Sequence, residues 1–257
     1  MARVDAQMLE LAEEAGLWMP RDPLGERIDG DGWSMVTWGR RASVERIRLG
    51  DVEAAVAKVR ELARERGIVE VNWWAGERST PAGFADTLLE LGLEPDPDQP
   101  HLVSLVCDSP PAGEATVEVR RVESLEDYRR ALELDWEVWG VPADDREERR
   151  AAVPARWKSL ADGDGSSTHY LAYVDGEPVG FGRVVFTPAA GLLMGGSTLP
   201  SARGRGVYTS LVQARWDEAI ERGTPRLVVG AGPMSAPILE RLGFRRIGSI
   251  RVLRDAL

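Results

Sequence analysis

Two arginines and two glycines alternate at Arg203-Gly204-Arg205-Gly206, between an apolar run, Gly191 to Pro200, and a stretch with helical apolar spacing that starts at Val207. A glycine-rich turn from a strand into a helix presents several backbone N–H groups in one direction, and the helix dipole adds partial positive charge there. Such a turn is an anion cradle: Gly204 and Gly206 let the backbone approach a ligand, and Arg203 and Arg205 add charge. Two phosphate motifs are excluded. No Gly-Lys-Ser/Thr is present for a P-loop, and Gly204-x-Gly206 lacks the third glycine of a dinucleotide fingerprint, Thr209 standing in its place.

The elements that must position this turn are legible on both sides of it. Before it, Val117–Val122 reads as a strand, and Ser124–Gly140 as a helix with Ser124 and Asp127 at capping-box spacing. Tyr170–Phe186 reads as a hairpin turning at Asp175-Gly176, and Gly191–Pro200 as a strand that Pro200 stops. After it come a helix (Val207, Leu211, Val212, Trp216, Ala219, Ile220), a buried strand at 225–232, a helix at 235–244 and a strand at 245–254. Upstream, Trp33–Leu49 alternates weakly. A helix is predicted at Val52–Ala63, a strand at 68–76, a helix opened by Pro81 and a strand at 101–108.

The paired prolines and glycine of Asp108–Thr116 mark a linker, which predicts two domains, 1–112 and 113–257. A weak repeat joins them. Residues 64–76 followed by Leu88–Leu93 match residues 219–232 followed by Leu239–Phe244, each a helix, strand, helix and Leu-Gly-apolar turn.

Composition narrows the class. With 257 residues, 43% hydrophobic and 29% charged, the chain reads as a globular α/β protein, and no run nears the ~20 apolar residues of a membrane span. The acidic N-terminus lacks the order of a signal peptide, so a cytoplasmic location is expected. One cysteine, Cys107, and two histidines, His101 and His169, offer no disulfide and no metal-ligand spacing; no metal is expected. A net charge of −10 disfavours nucleic acid as the main partner.

The loop, with the elements around it, resembles the GNAT superfamily of acyl-CoA-dependent N-acyltransferases. The family's Arg/Gln-x-x-Gly-x-Gly/Ala signature is matched from Arg203 through Gly206 and Val207, with Tyr208 where Gly or Ala is usual. Leu242-Gly243-Phe244 resembles the family's Leu-Gly-Phe run, and the resemblance covers about residues 117 to 254. It implies an α/β fold with a mixed sheet splayed at its middle, complete in the C-terminal domain and partial in a degenerate N-terminal half of a tandem. It also implies acetyl-CoA or another acyl-CoA as co-substrate and a small-molecule amine as acceptor. The amides from Arg203, Gly204, Arg205, Gly206 and Val207 to Tyr208 would hold the pyrophosphate, those of Thr198 and Leu199 the thioester arm. Non-CoA donors such as an aminoacyl-tRNA, and a noncatalytic CoA-binding or interaction module, are the alternatives.

The departures bear on proton transfer. Where many members carry a tyrosine acid this chain has Leu239, and Gly232 stands at the usual asparagine. The candidates that remain are Tyr208, the nearest phenol, and Ser235, which either touches the CoA arm or caps the following helix. Asp135 and Glu137 fall in the segment that lines the family's acceptor pocket, but read as solvated acids beside core tryptophans; His169 reads as a packed histidine. Asp51 and Glu53, at the equivalent turn of the N-terminal half, would repel a pyrophosphate.

Overall fold

The computed structural model describes residues 3–257. Its first elements are α1 (Arg3–Glu13), α2 (Ala15–Trp18), β1 (Arg27–Gly30), β2 (Trp33–Trp38) and β3 (Arg41–Glu45). There follow α3 (Val52–Glu65), β4 (Glu70–Gly76), α4 (Phe84–Glu90), β5 (Glu94–Pro95) and β6 (His101–Cys107). Then come β7 (Glu118–Arg121), α5 (Leu125–Val138), α6 (Ala143–Ala161), β8 (Ser167–Val174), β9 (Glu177–Phe186) and β10 (Gly191–Thr198). A 3-10 turn, Pro200–Ala202, leads into α7 (Val207–Glu221), and the chain closes with β11 (Leu227–Ala231), α8 (Ala236–Arg241) and β12 (Arg245–Ala256). This is a mixed α/β fold, as the sequence predicts.

The chain forms two compact units, one of residues 1–105, 229–240 and 245–257, the other of residues 106–228 and 241–244. They do not follow a single cut at the linker. β12, from the C-terminal stretch, pairs antiparallel with β4 from Ile250↔Gly76 to Ala256↔Glu70, which draws the last strand into the unit built from the N-terminal half.

In that first unit the strand order is β1-β2-β3-β4-β12-β6, with β5 on β12. β3 and β4 run parallel over Arg41–Val44, and the crossover between them is α3. Asp51 caps that helix, accepting from the Ala54 amide at 3.0 Å, and its apolar stripe of Val52, Ala55, Val56, Val59 and Ala63 is buried. Trp73 is fully buried and packs on Phe84 with ring centroids 5.9 Å apart.

In the second unit the order is β10-β9-β8-β7, with Leu227 and Val228 of β11 paired on β10. Ser124 caps α5 as its capping box predicts: its hydroxyl accepts from the Asp127 amide at 3.1 Å and donates to the Asp127 carboxylate at 2.6 Å. Asp175 and Gly176 turn the β8–β9 hairpin at φ 54° and 85°. α7 covers one face of the sheet and approaches it closely, because β9 presents glycines there: a Cβ on Gly180 would lie 2.4 Å from Val207 and one on Gly182 3.3 Å from Arg215. The other face packs on α5, with Leu171 and Phe181 against Tyr128, Ala131, Leu134 and Trp136. The linker is strapped down within this unit. Ala112 N–H donates to the Leu242 carbonyl at 2.9 Å, and the Gln213 amide group donates to the Pro111 and Gly113 carbonyls at 2.8 and 3.0 Å.

Candidate functional site

The glycine turn predicted between β10 and α7 forms at the start of α7. Gly204 and Gly206 both take positive φ, 76° and 80°, and Gly206 is the residue from which the helix begins. Thr116 shapes the turn: its hydroxyl donates to the Arg205 carbonyl at 3.0 Å and would lie 2.0 Å from a Cβ on Gly206. Only glycine fits there without moving Thr116. Behind it, the Ser210 hydroxyl donates to the Gly206 carbonyl at 3.1 Å and accepts from the Thr116 amide at 3.0 Å.

These contacts hold the loop by its carbonyls and leave its donors available. Among the described residues the amides of Gly204, Arg205 and Gly206 have no acceptor. Those of Val207 and Thr209 precede the first intrahelical bond, from Ser210 N–H to the Gly206 carbonyl at 2.9 Å. Arg203 is exposed and has no carboxylate partner among the described residues, while Arg205 shares an exposed ion pair with Asp175 at 3.3 Å. Val207 is buried and packs its side chain on β9, so its part in any ligand contact is confined to its backbone.

β10 leads to this loop with one edge open. It pairs with β11 only at Gly191↔Leu227 and Leu192↔Val228, so from Leu193 onward that edge has no strand partner within the unit. On its other edge β10 pairs with β9 throughout, with an irregularity between Met194 and Gly196. The Leu199 N–H donates to the Val179 carbonyl at 2.9 Å. Hydrogen-bonded pairs alternate along an antiparallel ladder, so the neighbouring pair Thr198↔Gly180 is a non-bonded one and the Thr198 N–H and carbonyl point to the open edge. Of the two amides expected to hold a thioester arm, Thr198 is placed to donate; that of Leu199 is already used within the sheet.

Tyr208 lies in the first turn of α7 with its ring against β10, 3.0 Å from the position of a Cβ on Gly196. Arg215, about two turns further on and fully buried, donates to the Gly195 carbonyl at 3.3 Å, to Arg183 O at 3.4 Å and to Leu211 O at 2.8 Å. No carboxylate faces it among the described residues, and burial lowers its pKa from the ordinary arginine value.

Ser235 and Leu239 belong to the other unit. The Ser235 hydroxyl donates to the Gly232 carbonyl at 3.3 Å rather than accepting from a helix amide, and Leu239 is fully buried. His169 is packed as expected, edge-on to Tyr128 at 5.3 Å and stacked on Phe181 at 5.9 Å. Burial, and then the Arg183 charge, push its pKa down to about 3, so it is a neutral imidazole.

Asp135 is not the solvated acid that its sequence neighbours suggest. It is half-buried, its carboxylate accepts a hydrogen bond from the Ser197 hydroxyl of β10, and burial raises its pKa above the usual aspartate range. Ser197 lies 62 positions along the chain, and nothing in the sequence marks the pair. The one signal was an acid at a sheet-facing position of α5, one residue from the buried Leu134 and Trp136 on either side. Among the described residues no group of three His, Cys, Asp or Glu side chains is arranged to hold a metal, and no helix is long and apolar enough to cross a membrane.

Comparison with known proteins bears on this geometry. Residues 125–244, which contain the open edge of β10 and the loop, match the model of the Acetyltransferase (GNAT) family. A search of curated proteins returned no match. Among solved structures, a GCN5-related N-acetyltransferase from Kribbella flavida superposes with a TM-score of 0.70 at 15% identity, covering 99% of this chain and 96% of that one. A tandem GNAT protein from the clavulanic acid biosynthesis pathway gives 0.61 at 16% identity, with 98% and 94% covered. A GCN5-related N-acetyltransferase from Sphaerobacter thermophilus gives 0.59 at 19% identity, with 89% and 82% covered. At these identities the structural likeness speaks to the fold, and together with the family match over 125–244 it identifies this chain as a GNAT-fold protein carrying an acetyltransferase (GNAT) family domain.

Proposed function

We propose that the chain transfers an acetyl or other short acyl group from acyl-CoA to the amine of a small molecule. The family match supports acyl transfer as the general chemistry. The observation that carries the finer reading is the continuity of two sets of donors unused among the described residues: the Thr198 amide on the open edge of β10, then the amides of Gly204 to Val207 beside the exposed Arg203. An extended amide-bearing arm adds to an open strand edge through main-chain hydrogen bonds, and a pyrophosphate suits a helix N-terminus. Arg203 to Tyr208 would hold the phosphates, and Thr198 would hold the acyl end with its carbonyl and amide.

In this reading the Thr198 N–H supports charge that develops on the thioester oxygen. No phenol occupies position 239, since Leu239 is buried there. The CoA thiolate is a moderately weak base, so water is an adequate proton source for it.

We also propose that 1–112 and 113–257 are two GNAT-like halves, the first of which has lost its ligand site. Its strand-to-helix turn carries the Asp51 carboxylate on the Ala54 amide, with Glu53 in the same first turn. At the end of its β3, the Glu45 carboxylate accepts from the Gly16 amide at 2.8 Å and the Ser43 hydroxyl at 2.8 Å, so the chain itself uses these groups.

The test is release of free thiol from acetyl-CoA in the presence of a panel of amines, with mass spectrometry of the products. Amine-dependent thiol release with an N-acetylated product is the expected result. Binding of CoA with no release for any amine in the panel would favour a noncatalytic module.

A further inference from the structure

β3 and β4 run side by side from Arg41↔Glu70 to Val44↔Trp73 and then part. The junction of α1 and α2, in the same unit, lies across the place where they part. Glu45 ends β3, and its carboxyl accepts from the Gly16 amide at 2.8 Å, from the Leu17 amide and from the Ser43 hydroxyl at 2.8 Å. Gly76 ends β4, and the Glu13 side chain lies where a Cβ on it would stand. The Glu13 carboxyl accepts from the amides of the next two residues of that stretch, Glu77 and Arg78, the latter at 3.2 Å. Glu14, beside Glu13 in the chain, pairs with Arg46 at 2.9 Å and with Arg48 at 3.4 Å.

Glu13, Glu14 and Glu45 are 4%, 3% and 1% exposed, so three carboxyl groups are buried at one junction. Their surroundings differ. Glu14 holds two arginines, whereas Glu13 and Glu45 have no ion pair among the described residues. Glu13 is faced by the charges of Arg78 and Arg48 at longer range, and Glu45 by neutral donors and by the like charge of Glu14. A buried carboxylate without a counter-ion is costly, so both acids are better held neutral. Neither helix supplies a strand to the sheet, and opening them leaves every ladder intact. What else holds α1 is its buried face of Met8, Leu9, Leu11 and Ala12, and Arg78, which donates to the Glu10 carboxylate at 2.5 Å and to the Ala6 carbonyl at 3.3 Å.

We propose that α1 and α2 form a strap released by ionisation: with Glu13 and Glu45 neutral it closes over the parting of β3 and β4, and when both ionise it opens while the sheet stays folded. Opening uncovers Gly76 and the amides of Glu77 and Arg78, which the closed strap occupies with a carboxyl of its own. Burial is the first cause that raises both acids from the ordinary 4.5 to about 7, and the hydrogen bonds they accept only partly oppose it. The closed form therefore binds these protons more tightly than the open one. Its advantage is full below about pH 4.5 and is lost as pH rises through 7. An acid that ionises near 7 when closed and near 4.5 when open favours opening by about tenfold between pH 6 and pH 8.5, and the two together by up to about 100-fold.

The test places a thiol under the strap in the full chain, by Ala12→Cys, and follows its labelling by a thiol reagent at pH 6 and pH 8.5. Ala12 is fully buried, and the native Cys107, buried in β6, is the internal reference for wider unfolding. Each rate, read by mass spectrometry of the peptides, is divided by that of the same peptide unfolded at the same pH, which removes the ordinary titration of the thiol. The introduced thiol should label at least about tenfold faster at the higher pH, and Cys107 should change by less than about twofold. Adding Glu13→Gln and Glu45→Gln, which hold both positions neutral, should reduce the rise to less than about twofold. Should Ala12→Cys fail to fold, Ala15→Cys, also buried, carries the same label. No rise at the introduced thiol, an equal rise at Cys107, or a rise that persists in the glutamine variant would overturn the strap.

Discussion

Arg215 of α7 reaches the carbonyl of Gly195 on β10, 3.3 Å away, at the point where the ladder to β9 shifts register. Gly195 has a φ of 71°, so the strand bends there, and the guanidinium also takes up the Arg183 carbonyl from the facing strand. A fully buried cation with no carboxylate partner among the described residues is a costly choice for a core, and here it fixes the stretch of β10 that ends in the open Thr198 amide. Arg215→Met, which keeps most of the volume, is expected to destabilise the protein by about 1–3 kcal/mol through the unpaired carbonyls. Urea unfolding gives that number, and acetyl-CoA affinity should fall in parallel. Unchanged stability would show that these hydrogen bonds do not hold the bend.

Gly206 is held tightly against Thr116, whose hydroxyl would lie 2.0 Å from a Cβ there. Gly206→Ala should therefore lower stability by about 2 kcal/mol or more, part from the positive φ and part from the Thr116 hydroxyl. The double variant Gly206→Ala, Thr116→Ala should recover the second part and leave the first. Strict additivity in thermal melts would mean that the two residues do not clash.

Stability should fall as pH rises. Burial raises Glu13 and Glu45 from the ordinary 4.5 to about 7, so the folded state binds these two protons more tightly than the unfolded chain. Their contribution is fully present below about pH 4.5 and is lost as pH rises through 7. Glu45→Gln should flatten the decline in melting temperature between pH 5 and pH 8. An equally steep decline in that variant would point to other groups.

Much of this was legible because it is local. The Ser124–Asp127 capping box, the Asp175-Gly176 turn, the Pro200 stop and the Arg-Gly loop each act within a few residues, and each forms as the pattern predicts. α6 carries no such signal: only Ala152 and Val153 are buried along its 19 residues, and Pro154 sits inside it, so no apolar stripe announces it. In α1 the acidic residues stand out in the sequence, although Met8, Leu9, Leu11 and Ala12 are buried on it. The Leu199 amide, the Asp135–Ser197 bond and the pairing of β12 with β4 join residues far apart in sequence, where one-dimensional patterns carry no signal.

Tyr208→Phe is expected to lower the acyl-transfer rate by less than about tenfold. Phenylalanine keeps the ring on Gly196, and water replaces whatever proton the phenol supplies. A drop of about 100-fold with acetyl-CoA affinity unchanged would make Tyr208 the acid.

The most direct measurement is calorimetric titration of acetyl-CoA into the full chain and into Gly204→Asp. Gly204 faces open space, so a carboxylate enters the loop without a steric clash, and aspartate tolerates its positive φ better than most residues. One site per chain, weakened by salt and abolished in Gly204→Asp with melting little changed, is the result predicted for a single cradle in the C-terminal half. Two sites per chain, or binding indifferent to Gly204→Asp, would contradict it.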